Sequence, residues 1–116
     1  MVDPSTNPDE FTLSTATHDG CEVVTLAGEL DLVNAARVSD TLDSATSGPS
    51  KVVVDLTGLT FIDSSGIHAI LAPRAGQQDI VIVCPSGNVR RVFDVTRIDQ
   101  VVPLYETLDE ALGKQG

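Results

Sequence analysis

Apolar residues along this chain fall in short runs whose spacing alternates between strand-like and helical, and each change of period marks an element boundary. The sharpest change lies in Lys51 to Leu71, KVVVDLTGLTFIDSSGIHAIL. Val52, Val53, Val54 and Leu56 form a nearly continuous apolar run, mostly β-branched, which suits a central strand covered on both faces. A short link with one more apolar pair follows. Ile67, Ile70 and Leu71 then recur at i, i+3 and i+4, the spacing of a helix face. The switch falls at Asp63-Ser64-Ser65-Gly66. Asp63 is the residue type that caps a helix, because its carboxylate accepts from the first-turn N–H groups that lack intrahelical partners. Ser64 then stands in the first turn, at the positive end of the helix dipole. Taken locally, the same residues also describe any well-capped helix.

The flanking pattern predicts an N-terminal hairpin followed by βα units. Phe11 and Leu13 alternate with polar residues, so Phe11 to Thr17 reads as a half-exposed edge strand. His18-Asp19-Gly20 supplies a turn, with His18 solvated, and Cys21 to Ala27 is the returning strand. Gly28 to Asp31 ends that strand. Ala35, Val38, Leu42 and Ala45 then share one helix face, with Asp31 and Asn34 as candidate caps. Ser47-Gly48-Pro49-Ser50 breaks the helix and returns the chain to the central strand.

Beyond the central strand, Pro73 predicts that the second helix ends or kinks near Leu71 or Ala72, since proline inside a helix costs ~3 kcal/mol or more. Ile80 to Cys84 reads as a buried strand stopped by Pro85. Ser86 is a candidate cap for a helix with Val89, Val92 and Phe93 inside and Arg90 and Arg91 on or near the outer face. Solvation with occasional ion pairs is the expected state of those arginines. Gln100 to Leu104 is a short last strand broken by Pro103. Thr107-x-x-Glu110 is a capping box ahead of Leu108, Ala111 and Leu112, and Gly113 can end that helix. The expected fold is α/β, a mixed sheet of about five strands with about four helices. Residues 1–10 hold Pro4 and Pro8 and little to pack, and are expected to form a disordered tail; residues 11–113 form a single domain.

Composition narrows what such a domain can do. A chain of 116 residues has room for one core, and at 41% hydrophobic but 3% aromatic residues that core must be built from Val, Leu, Ile and Ala. Seventeen acidic residues against seven basic ones give a net charge of -10, which argues against nucleic-acid binding through phosphates. A basic protein partner is the easier inference, although acidity also serves solubility. No apolar run approaches the length of a membrane span and the N-terminus lacks a signal pattern, so a cytoplasmic protein without membrane insertion is expected. Cys21 and Cys84 are isolated, lie in predicted strands and do not make a metal site; a redox link between them stays open.

DLTGLTFIDSSGIHAIL, with GELDLVNAARV upstream and NVRRVFDVTRIDQVVPLYETLDEAL downstream, resembles the STAS domain of bacterial anti-sigma factor antagonists. The likeness runs from about Phe11 to Leu112, and its most specific part is Asp-Ser-Ser-Gly between an apolar strand and a helix. The resemblance implies a non-enzymatic binding module without cofactors. By the same resemblance it is expected to bind an anti-sigma factor that is also a serine kinase, to release the sigma factor, and to be switched off when that kinase phosphorylates the first serine after the aspartate, here Ser64. A phosphatase would reset it. The implied partner-binding surface comprises Asp31, Asn34, Asp63, Ser64, Ser65, Gly66 and His68. Asn34 stands where the family often has a threonine, so a second family phosphosite has no hydroxyl here. Pro73 and a short following link also depart from the pattern. A STAS scaffold subunit of a stress-sensing complex and a cytoplasmic accessory subunit of a membrane transporter are the alternatives within the same likeness.

Two enzymatic or phosphoryl-accepting readings compete. Asp63, Ser64 and His68 resemble a hydrolytic triad in composition, with Ser64 and His68 at i, i+4, but all three lie in one short span and no G-x-S-x-G elbow is present. A receiver domain with Asp55 as acceptor fits the size and βα order, yet lacks the acidic pair after the first strand that would hold Mg²⁺.

Overall fold

The computed structural model describes residues 10–48, 51–72, 80–98 and 102–113. Residues 1–9 of the expected N-terminal tail, Pro49-Ser50, Pro73 with the link behind it, and Gln100-Val101 at the start of the expected last strand lie outside those residues.

The chain order is β1 (Thr12–His18), β2 (Cys21–Leu30), α1 (Leu32–Thr46), β3 (Val52–Ile62), α2 (Ser64–Leu71), β4 (Ile80–Val83), α3 (Asn88–Val95), β5 (Leu104–Tyr105) and α4 (Leu108–Ala111). The five strands lie side by side in sequence order, β1-β2-β3-β4-β5. β1 runs antiparallel to β2, and all later neighbours are parallel, as a hairpin followed by βα crossovers requires. The hairpin closes through Asp19 and Gly20, with φ of 52° and 79°. Both central residues are left-handed, the geometry that matches strand twist in a two-residue turn.

Alternation along β3 assigns its side chains to two cores. Val52, Val54 and Leu56 point into the larger one, with Val24, Leu26, Val38, Leu42, Ile70, Ile82 and Phe93, so α1, α2 and α3 cover that face. Val53 points the other way and joins Val23, Val81, Val83 and Ala111 under α4. The central strand is therefore covered on both faces, as its unbroken apolar run predicts. α4 is a single turn held by its capping box: Thr107 Oγ1 accepts from Glu110 N at 3.2 Å, and Glu110 Oε1 accepts from Thr107 N at 3.1 Å. Lys51 Nζ donates to the Ala111 carbonyl at 2.9 Å and ties the turn's free end to the start of β3.

Several boundaries differ from the sequence expectation for physical reasons. β2 continues to Leu30 because Gly28 adopts φ 90° inside the strand. β3 is one strand of 11 residues, with no separate link after Leu56. Its register against β2 slips twice, between Thr25 and Ala27 and between Gly28 and Glu29. Those bulges convert an alternating burial pattern into a three-residue one, so that Leu56, Leu59 and Ile62 are all buried. At the first slip a Cβ on Gly58 would lie 2.9 Å from Ala27 Cβ.

α3 is capped by Gly87, with no side-chain hydrogen bond, and not by Ser86. Ser86 turns instead to Glu106, whose Oε2 accepts from its backbone N–H at 3.2 Å. Arg90 is half-buried and not merely solvated: it donates to the Cys84 carbonyl at 3.0 Å and to Asp94 at 3.2 Å. Pro103 precedes β5 and does not break it, its carbonyl accepting from Ile82 N at 3.0 Å. α2 ends as expected, with Ala72 leaving the helix at ψ 139°, the extended conformation favoured before proline.

Cys21 opens β2 while Cys84 follows β4, which places the two free thiols at opposite ends of the parallel sheet and removes the redox link. Burial pushes the Cys84 thiol up from 9.0 to about 11, against the opposing pull of Arg90. The folded chain thus favours the protonated thiol, a contribution fully present below pH 9 and lost as pH rises past 11. Two outcomes follow. Alkylation of the native protein at pH 8 is expected at Cys21, with Cys84 protected until unfolding; equal rates would contradict its burial. Thr107→Ala should cost about 1 kcal/mol in chemical denaturation by loss of the cap, whereas an unchanged midpoint would show that the box contributes nothing.

Candidate functional site

The ends of β2 and β3 are zipped together, and a helix leaves from each. Leu30 and Ile62 are register partners, and the Asp63 N–H donates to the Leu30 carbonyl at 3.2 Å. The residue after each strand is an aspartate in extended conformation that caps the next helix. Asp31 Oδ1 accepts from Val33 N at 3.0 Å, and Asp63 Oδ1 accepts from Gly66 N at 3.0 Å. Two helix starts therefore open side by side from one end of the sheet. Asn34 is not a cap: its amide donates to the Glu29 carbonyl at 3.1 Å and to Asp31 Oδ1 at 3.4 Å, bracing the turn into α1.

Gly66 sets how close the second start lies to the first. A Cβ at this position would fall 2.6 Å from Leu30 Cγ and 3.0 Å from Ile62 Cγ1, so the first turn of α2 rests directly on the ends of both strands. Gly66 is buried, and its contribution to the surface is one of position. Ser64 is exposed on the first turn, Ser65 is half-buried, and His68 is exposed one turn further on. These residues and Leu32, Ala35, Ala36 and Ser39 of α1 line a groove of about 480 Å³ between the two helices.

The sequence reading missed three exposed apolar side chains near the strand ends, of which Leu32 lines the groove. Leu32 is 74% exposed and Val33 85%, both on the first turn of α1. Phe61, the residue before the end of β3, is 48% exposed. Leu32 and Val33 lie off the face defined by Ala35, Val38, Leu42 and Ala45, which is the signal that would have found them. Phe61 had no such signal, because its outward direction follows from the bulges in β3. Apolar side chains of this size left open to water at the end of the sheet that carries the groove mark a surface suited to a partner.

The chemistry here is that of recognition. Asp63 serves as the cap of α2, and Asp55 accepts from Thr57 N at 3.0 Å and Thr57 Oγ1 at 2.6 Å within β3. Among the described residues there is no group of three or more His, Cys, Asp or Glu that could hold a metal. No helix among them is long and apolar enough to cross a membrane.

The family model described as "STAS domain" matches residues 12–111. The chain belongs to the STAS domain family, whose anti-sigma antagonists are regulatory binding proteins and not enzymes. It is similar to the anti-sigma-F factor antagonist RsfB of Mycobacterium tuberculosis, 31% identical over 109 residues that cover 90% of this chain and 89% of the relative. An anti-sigma F factor antagonist of Paenibacillus polymyxa is 30% identical over 103 residues, covering 82% of this chain and 86% of the relative. Among solved structures, an anti-sigma factor antagonist from Mycobacterium paratuberculosis superposes with a TM-score of 0.82 at 32% identity, covering 93% of this chain and 96% of the other.

Gly66→Ala should destabilise the protein by about 1–3 kcal/mol through overpacking against Leu30 and Ile62. Thermal or urea unfolding measures this, and a variant as stable as the parent would mean that α2 can lift away at no cost.

Proposed function

We propose that this protein is an anti-sigma factor antagonist, a cytoplasmic binding module that docks on an anti-sigma factor serine kinase and displaces the sigma factor held there. The observation that carries the reading is the exposed Ser64 on the first turn of α2, lining a groove that the exposed Leu32 of α1 also lines. The names of the relatives support the regulatory class. The docking surface is formed by the Asp31 and Asn34 turn, the first turn of α1, Ser64, Ser65 and His68, with Asp63 and Gly66 holding α2 in place.

Phosphorylation of Ser64 switches the module off. Its Oγ attacks the γ-phosphorus of ATP held by the kinase, the bond from that phosphorus to the bridging oxygen breaks, ADP leaves, and the hydroxyl proton passes to a base of the kinase. A phosphatase reverses the state by hydrolysis, releasing inorganic phosphate. The phosphate adds about -1.5 to -2 charges at neutral pH. The helix start tolerates them, since its free N–H groups and dipole favour an anion. An apolar interface does not, because taking a dianion out of water costs several kcal/mol.

The test is incubation with the candidate kinase and ATP, followed by location of the phosphate by mass spectrometry. Modification is expected at Ser64 and absent from Ser64→Ala, which keeps its affinity. Ser64→Asp and the phosphorylated protein should bind the kinase about tenfold more weakly or worse. Full-strength binding by Ser64→Asp would count against the charge mechanism.

A further inference from the structure

His68 is the one ionisable residue lining the groove among the described residues. α1 presents Leu32, Ala35, Ala36 and Ser39 to it, and α2 adds serines and alanines around the imidazole. The carboxylates that flank the groove, Glu29 and Asp31 at the end of β2 and Asp63 at the start of α2, are not part of its lining. Asp31 and Asp63 are committed to capping. Arg37, Asp40 and Asp43 of α1 also lie outside it.

Ser64 and His68 are both exposed and stand one turn apart on α2. Side chains at i and i+4 have Cβ atoms about 5–6 Å apart, and a helical side chain leans over the turn N-terminal to its own Cα. His68 can therefore reach the oxygen of Ser64. An anion at i with a cation at i+4 is the favourable order on a helix, since each also meets the preferred end of the dipole. His68 occupies the last turn of this eight-residue helix.

We propose that His68 is the intramolecular partner of a phosphate on Ser64, its imidazolium clamping the phosphoserine over the first turn of α2 and drawing the ring across the mouth of the groove. The proposal rests on the reading of Ser64 as the phosphorylated residue. It assigns His68 two states: free beside an open groove when Ser64 is a hydroxyl, and paired when Ser64 carries phosphate.

The test uses the full chain with phosphoserine genetically encoded at position 64, so that no kinase is needed. The two histidine rings are titrated by NMR in the phosphorylated and unphosphorylated proteins, and the phosphate by ³¹P NMR. His68 should titrate about half a pH unit higher, or more, once Ser64 carries phosphate. His18, in the hairpin, should not move. By linkage the phosphate should titrate lower in the parent than in His68→Gln, by a similar amount. An identical His68 midpoint in the two forms, or a ³¹P midpoint indifferent to His68→Gln, would overturn the assignment. Because the phosphoserine is incorporated during translation without any kinase, that result bears on His68 alone, while failure of a kinase to modify Ser64 bears on the proposed function.

Discussion

The arrangement at the groove depends on how closely the first turn of α2 can approach the end of β2. The Asp63 N–H to Leu30 carbonyl bond draws the two chain segments together, and the missing side chain of Gly66 lets Leu30 and Ile62 fill the space beneath the helix. With α2 seated there, its start lies beside the start of α1, since both helices leave adjacent parallel strands after a single aspartate. Two positive helix ends, a groove between them and a serine on its edge all follow from that contact. A larger residue at position 66 would lift the helix and change the groove before it changed any surface group.

The parts of the structure that were legible in the sequence are those fixed by local chemistry. Asp63 and Asp31 are caps because carboxylates accept from free N–H groups wherever a helix begins. Thr107 and Glu110 form their box for the same reason. The two-sided burial of β3 was legible from the Val52–Leu56 run, and the α2 terminus from Pro73. What escaped was set by contacts distant in sequence. The bulges that extend β3 arise from its pairing with β2, and they turn the spacing of Leu56, Leu59 and Ile62 into one that resembles neither a strand nor a helix. Ser86 fails as a cap because Glu106, 20 residues away, holds it. Arg90 is held by the Cys84 carbonyl on the preceding strand end, a partner that no helix-face argument identifies.

Charge and hydrophobicity divide the surface in a way that suits reversible binding. The chain as a whole carries -10, yet the groove lining between α1 and α2 holds no carboxylate and includes Leu32, which like Val33 after it is apolar and open. Burying such side chains gives about 25 cal/mol for each Å² of apolar area removed from water. That gain is readily lost if a dianion must be desolvated alongside them. Under the proposed function, a phosphate on the single exposed hydroxyl at the edge would decide between the bound and the free state.

The central claim is that the partner docks on the paired helix starts. Amide and methyl NMR of the labelled, unphosphorylated protein, titrated with the anti-sigma factor kinase of the same organism, tests it most directly. The expected footprint is centred on Leu32, Val33, Phe61, Ser64 and His68 and leaves β1 and α4 unaffected. A footprint confined to β1 or to the α4 face, with those five residues silent, would contradict it.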